Sequence, residues 1–178
     1  MSRMSLSSKV TIVLLAAAAL QGGVLARSYA SRPQQVKAGD PLPTVELEHA
    51  GVPVSMNLAR LPDCSHVVFV IPTCKTCKEL APRWSTEFRD AENPRTVVVS
   101  LSDYESAREY LDSGGLGGLP LFATGQESAI STGRKLGVLT IPTIAVVRDG
   151  RVAAVGVGAD YTLAGLARQA QCPVRTPA

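Results

Sequence analysis

The chain of 178 residues lacks a strong surplus of charge: 18 Lys and Arg stand against 15 Asp and Glu, a mild formal net charge of +3. The basic residues are scattered rather than clustered. No nucleic-acid partner is therefore expected, and no electrostatic draw to an anionic membrane surface. There is no internal repeat. The one glycine-rich stretch, Gly114-Gly115-Leu116-Gly117-Gly118, is too short for low complexity and reads as a loop. Histidine is scarce as well. The two, His49 and His66, form no H-x-x-H pair, and the four cysteines contain one C-x-x-C rather than two. A structural zinc needs four ligands at matching spacing, so no metal is expected, and no residue pattern calls for a cofactor.

Long apolar runs are also wanting. The N-terminal run, Val10 to Leu20, falls short of the roughly 20 apolar residues of a stable membrane span. Arg3 and Lys9 precede it, and Gln21-Gly22-Gly23 and Val24-Leu25-Ala26 follow. A basic start, a short apolar core and small residues at the end make an export signal. Val24 and Ala26 suit cleavage after Ala26, and Ser28 and Ala30 offer a second site. Extended through Ala26, the same run is a candidate anchor. Residues 1–30 are assigned to an export signal or membrane anchor, 31–38 to a polar, Pro-containing linker, and 39–174 to the folded domain. Any membrane contact is then confined to the N-terminal segment.

What remains alternates between strand and helix patterns. Val45 to Glu48 and Val52 to Met56 alternate around His49-Ala50-Gly51, which reads as a hairpin. His66 to Ile71 is continuously apolar, as in a strand buried on both faces of a sheet. Lys75 to about Arg89 is helical, with Leu80, Trp84 and Phe88 on one face and Pro82 inside. Thr96 to Leu101 is the next central strand. Ser102-Asp103-Tyr104-Glu105 reads as a capping box opening a helix to about Leu111. A short strand over Leu119 to Ala123 and a helix over Glu127 to Leu136, closed by Gly137, follow. Thr143 to Arg148 and Arg151 to Val157 flank Asp149-Gly150 as a second hairpin, and Tyr161 to Gln171 closes the chain as a helix. The expected fold is α/β: a mixed sheet with helices on both faces, preceded by an N-terminal β-hairpin.

Two segments carry the chemistry. Pro72-Thr73-Cys74-Lys75-Thr76-Cys77-Lys78 follows the apolar strand directly. A C-x-x-C where a strand gives way to a helix cycles between dithiol and disulfide. Further on, Gly137-Val138-Leu139-Thr140-Ile141-Pro142-Thr143 opens the second hairpin. Ile-Pro-Thr at the start of a strand suits a cis proline. In this order and spacing the two segments resemble the thioredoxin superfamily, in particular its exported thiol–disulfide proteins. Cys77-Lys78-Glu79-Leu80-Ala81-Pro82 is similar to the thioredoxin active-site helix, and Ala38-Gly39-Asp40-Pro41-Leu42-Pro43 to the entry of the exported branch. Pro-Thr-Cys-x-x-Cys-Lys is similar to the accessory disulfide proteins of methylamine dehydrogenase maturation.

The resemblance implies a thioredoxin-like domain acting as an enzyme without cofactor in the periplasm or cell envelope. Its substrate is then a protein with cysteines, and a separate redox partner resets it. Cys74, at a helix N-terminus that favours the thiolate, attacks. Cys77, one turn on, resolves the mixed disulfide. Thr73, Lys75, Thr76, Ile141 and Pro142 are the candidates for substrate contact, with the Ile141 backbone free to pair with an extended segment. Two features depart from the thioredoxin pattern: Thr73 replaces an aromatic residue, and Val68 replaces the buried acid that deprotonates the second cysteine. Cys77 must then use another base, water or the substrate. The same topology puts Cys64 and Cys172 together at the pole opposite the site, where a structural disulfide is expected. His49, His66 and Trp84 read as structural. A peroxidase lacks support, because Pro72 and Thr73 abut Cys74 instead of lying upstream. A redox-inert or metal-handling binding module of the same fold stays as the alternative.

Overall fold

The computed structural model describes residues 34–90, 95–125 and 128–173. The folded unit begins at Gln35; the segment assigned to export, residues 1–30, lies outside the described residues. Among the described residues no helix is long and apolar enough to cross a membrane. The elements run β1 (Thr44–His49), β2 (Val52–Asn57), β3 (Ser65–Val70), α1 (Lys75–Asp90), β4 (Thr96–Ser100), α2 (Tyr104–Ser113), β5 (Leu121–Ala123), α3 (Ala129–Leu136), β6 (Thr143–Arg148), β7 (Arg151–Val157) and α4 (Leu163–Gln169). They build one seven-stranded mixed sheet in the order β2-β1-β5-β4-β3-β6-β7. β3, β4 and β5 are parallel, and the remaining neighbours are antiparallel. The N-terminal hairpin is thus one edge of the main sheet, joined through the pair Glu48 and Ala123.

β3 sits centrally, and all six of its residues are buried. Its side chains alternate. Val68 and Val70 join the layer of α1, α2 and α4 with Trp84, Leu111 and Leu166. Val67 and Phe69 join the opposite layer with Val36, Leu42, Leu136 and Val138. α1 buries Cys77, Leu80, Ala81, Trp84 and Phe88, a stripe at helical spacing, and Trp84 is a core residue. Pro82 lies inside α1, where it offers no N–H to the carbonyl one turn back.

Several boundaries differ from the sequence reading, among them β5, which starts at Leu121 rather than Leu119. α2 is capped by Asp103, whose carboxylate accepts the Ser106 N–H at 2.8 Å. Ser102, the expected cap, instead shares its hydroxyl with Ser100 and Asp103. An ionised carboxylate is the stronger acceptor for a helix N-terminal N–H. α4 starts later than expected, because Thr162 caps it through the Gly165 N–H and Tyr161 packs against the core ahead of it. α3 starts at Ala129; Glu127, where its start was expected, lies outside the described residues. The β6–β7 turn follows the sequence signal: Asp149 and Gly150 both have positive φ, 51° and 69°, as a two-residue hairpin loop requires.

At the pole where β3 begins, Cys64 and Cys172 form a disulfide with a Cα–Cα distance of 5.7 Å, closing 108 residues of sequence. In the chain-entropy model such a loop is worth about 4–5 kcal/mol. Arg148 reaches the same corner and donates to the Ala170 carbonyl at 3.2 Å. His66 is also here, buried, and desolvation lowers its pKa from 6.5. His49 closes β1, with its Nδ1 2.8 Å from the Leu121 carbonyl and its ring 5.0 Å from that of Phe122. His49 ends β1 at the turn of the hairpin, and His66 lies near the start of the central strand.

Candidate functional site

The site lies at the opposite end of β3. After Val70 the chain turns, with the Cys74 N–H donating to the Ile71 carbonyl at 3.0 Å. The turn sets Cys74 immediately before α1, whose first turn begins at Lys75. The Cys77 N–H donates to the Cys74 sulfur at 3.2 Å, so an N-terminal helix amide that lacks an intrahelical partner is satisfied by the thiol. Both cysteines are free, Cys74 half-buried and Cys77 buried. Burial, followed by the hydrogen bond with Cys74, pushes the Cys77 thiol far up.

The second segment arrives from across the sheet. Ile141–Pro142 is a cis peptide. The Ile141 carbonyl lies 3.8 Å from the Cys74 sulfur, and the Pro142 carbonyl accepts the Gly158 N–H at 2.9 Å. Thr140 and Leu139 are exposed and Ile141 half-buried, while Pro142 is buried beneath them. Among the described residues, Leu139 and Val157 are two of the few large apolar side chains left open to solvent, at 47% and 37%. Cys74 therefore sits against a loop that offers backbone and an apolar surface.

Of the residues expected to touch substrate, Thr73 and Lys75 are exposed and Thr76 half-buried. Lys75 pairs with Glu79 at 3.7 Å on an open helix face, an interaction of little energetic weight. Val68 is buried in the same cluster as Cys77, so an apolar side chain stands at the position where the thioredoxin pattern has an acid. Among the described residues no group of three or more His, Cys, Asp or Glu could hold a metal.

Two residues of the site carry no sequence signal that singled them out. Tyr110, on α2, donates its buried hydroxyl to the Cys77 carbonyl at 2.9 Å; desolvation first, then the nearby thiols, hold its pKa well above the usual phenol range. Its spacing with Ala107 and Leu111 marks a core face but not a contact with the cysteines. Gln35, in the stretch read as linker, bonds to the cis-proline loop.

With this geometry in view, solved structures can be compared. A thio-disulfide isomerase from Thermus thermophilus superposes with a TM-score of 0.57 at 23% identity, over 78% of this chain and 100% of that one. The fold is the thioredoxin fold. The thioredoxin domain of a thiol-disulfide oxidoreductase from Bacteroides vulgatus gives 0.56 at 16% identity, over 71% and 92%. A peroxidoxin from Mycobacterium tuberculosis shares the fold too, at 0.52 and 18% identity, over 76% and 94%. No protein-family model and no curated protein matches the sequence. Within the thioredoxin fold, the parallel strand β3 carries the C-x-x-C at its C-terminal end, where α/β sheets place their sites.

Proposed function

We propose that this thioredoxin-fold protein is a thiol–disulfide oxidoreductase that exchanges disulfides with an exported partner protein. The observation that carries the reading is the free dithiol at the start of α1, its outer sulfur facing the carbonyl of a cis Ile141–Pro142 at 3.8 Å. A chemically idle pair would gain nothing from one half-buried and one buried sulfur beside an open backbone edge.

The exchange runs in two steps. The Cys74 thiolate attacks one sulfur of a substrate disulfide; a Cys74–substrate bond forms and the first substrate thiolate leaves. The Cys77 sulfur then attacks Cys74; the Cys74–Cys77 bond forms, and the second substrate sulfur departs. Two electrons pass to the substrate, and the reverse sequence oxidises a partner dithiol. Cys77 surrenders a proton in the second step. With Val68 in place of an acid, the departing thiolate is its acceptor. During both steps the substrate chain lies along Ile141, with Leu139 and Val157 receiving its apolar side chains.

The N-terminal segment supports action in the periplasm or cell envelope, and the Cys64–Cys172 bridge suits an oxidising compartment. The Pro-Thr-Cys-x-x-Cys-Lys motif favours maturation of a disulfide-containing envelope protein, and the resemblance to the broader exported branch adds a haem-containing one as the other candidate role. A Cys77→Ser variant incubated with envelope extract tests the reading: a mixed disulfide between Cys74 and a protein thiol is expected. If no adduct forms in extract whose proteins carry disulfides, the assignment fails. The reduction potential of the purified domain then fixes the direction of exchange.

A further inference from the structure

We infer that Gln35 is a positioning residue for the cis-proline loop, acting as a clamp between the loop's two limbs. This rests on the oxidoreductase reading for its consequence in turnover, though not for the clamp itself. The Leu139 N–H donates to Gln35 Oε1 at 3.0 Å. Gln35 Nε2 donates to Thr143 Oγ1 at 3.4 Å, and that hydroxyl donates to the Thr140 carbonyl at 2.6 Å. Alongside, the Val36 N–H donates to the Gly137 carbonyl at 2.7 Å. One amide side chain thus engages a residue before the cis bond and a residue after it. Three residues of the loop, Thr140, Ile141 and Pro142, lie between these attachments.

The arrangement has a local logic. Residues 139 and 140 are exposed and lie outside strand and helix, so no ladder or helical bond fixes the path of the loop there. β6 begins only at Thr143. The loop's far side is held by the Pro142–Gly158 bond. Gln35 supplies the near side, and buried Val36 anchors Gln35 in the apolar layer under Leu136 and Val138. The Ile141 carbonyl is held 3.8 Å from Cys74 by contacts from both directions. Loosening one of them frees the backbone edge on which a substrate strand would register, without touching either sulfur.

The test compares Gln35→Ala and Gln35→Glu in the full chain. Gln35→Glu keeps the acceptor for Leu139 and loses the donor to Thr143. Amide hydrogen exchange reads the clamp directly: the Leu139 amide is expected to exchange about 5–10-fold faster in Gln35→Ala, the loss of one hydrogen bond, and less so in Gln35→Glu. Protection in β3 and β4 stays as it was. With insulin as disulfide substrate, KM rises several-fold while kcat and the alkylation rate of Cys74 hold. An unchanged Leu139 amide overturns the proposal, as does a loss of protection spread evenly over the sheet, which marks a purely structural residue. Absence of insulin turnover in the unsubstituted protein would count against the oxidoreductase reading, and hydrogen exchange would still decide the clamp.

Discussion

The two cysteine pairs sit at the two ends of one strand and differ in almost every physical respect. Cys64 and Cys172 are 108 residues apart in sequence and bonded; Cys74 and Cys77 are three apart and free. Bonding the distant pair removes a great deal of freedom from the unfolded chain, while bonding the near pair removes little, because loop-closure entropy grows with loop length. The first bond therefore stabilises the fold. The second leaves stability nearly alone and is available for chemistry. Position reinforces the contrast. Cys172 is buried among α4 and the core, whereas Cys74 stands half-exposed where a helix amide reaches its sulfur.

The largest effect expected from breaking this comparison is on activity. Cys74→Ser should lower disulfide exchange by about a thousandfold or more, since the thiolate is the nucleophile, with thermal stability unchanged. Insulin reduction alongside a melting curve checks both halves. If exchange survives, Cys74 is not the attacking group. At the other pole the pattern inverts: Cys64→Ser with Cys172→Ser should cost about 2–5 kcal/mol of stability and leave the alkylation rate of Cys74 as it was. A denaturant titration of the double variant measures the cost, and an unchanged midpoint would remove the structural role of the bridge.

A finer distinction lies within the reactive pair. Native protein should offer one fast thiol to iodoacetamide, Cys74, and one slow thiol, Cys77, whose burial and raised pKa both oppose reaction. Denatured and reduced protein should offer four. Peptide mapping after timed alkylation reads the order, and Cys77 labelled ahead of Cys74 would reverse the roles.

The smallest effect concerns His66, close in sequence to Cys64. Its folded pKa is lowered from 6.5 by desolvation, so below that pH the unfolded chain binds more protons than the folded one. Stability is then complete above about pH 6.5 and falls as pH drops toward the folded value, by at most ~1.4 kcal/mol per pH unit. His66→Gln should flatten that part of the stability profile. A slope that persists in the variant would assign it to other groups.

The parts of the fold legible in the sequence were those written in local patterns. Asp149-Gly150 between two apolar alternations fixes a hairpin because few residues accept two positive φ values. The apolar run Val67 to Ile71 marks a strand buried on both faces because no polar side chain interrupts it. The cysteines and Ile141-Pro142 announced themselves by residue type. Gln35 did not: its partners are Leu139 and Thr143, more than a hundred residues away, and a polar residue in a polar stretch has no periodicity to betray a docked role. Tyr110 was half-visible, because spacing shows which face is buried but not which carbonyl the hydroxyl meets. At α2 two adjacent capping residues competed, and the choice between Ser102 and Asp103 depended on Ser100, a strand residue whose hydroxyl engages Ser102.

β3 also acts as a ruler. In the unfolded, reduced chain Cys64 lies ten residues from Cys74 and 108 from Cys172. By loop length alone the shorter ring is favoured about 35-fold over the native one. A formed β3 reverses that preference: its six residues, Ser65–Val70, span about 20 Å, several times the reach of a disulfide. Once the strand has paired, Cys64 and Cys74 are held apart by a rigid rod, and Cys172, at the pole of Cys64, is the thiol left within reach. Correct pairing is thus enforced by length, with the reactive sulfur kept out of the structural bond by the strand that connects them.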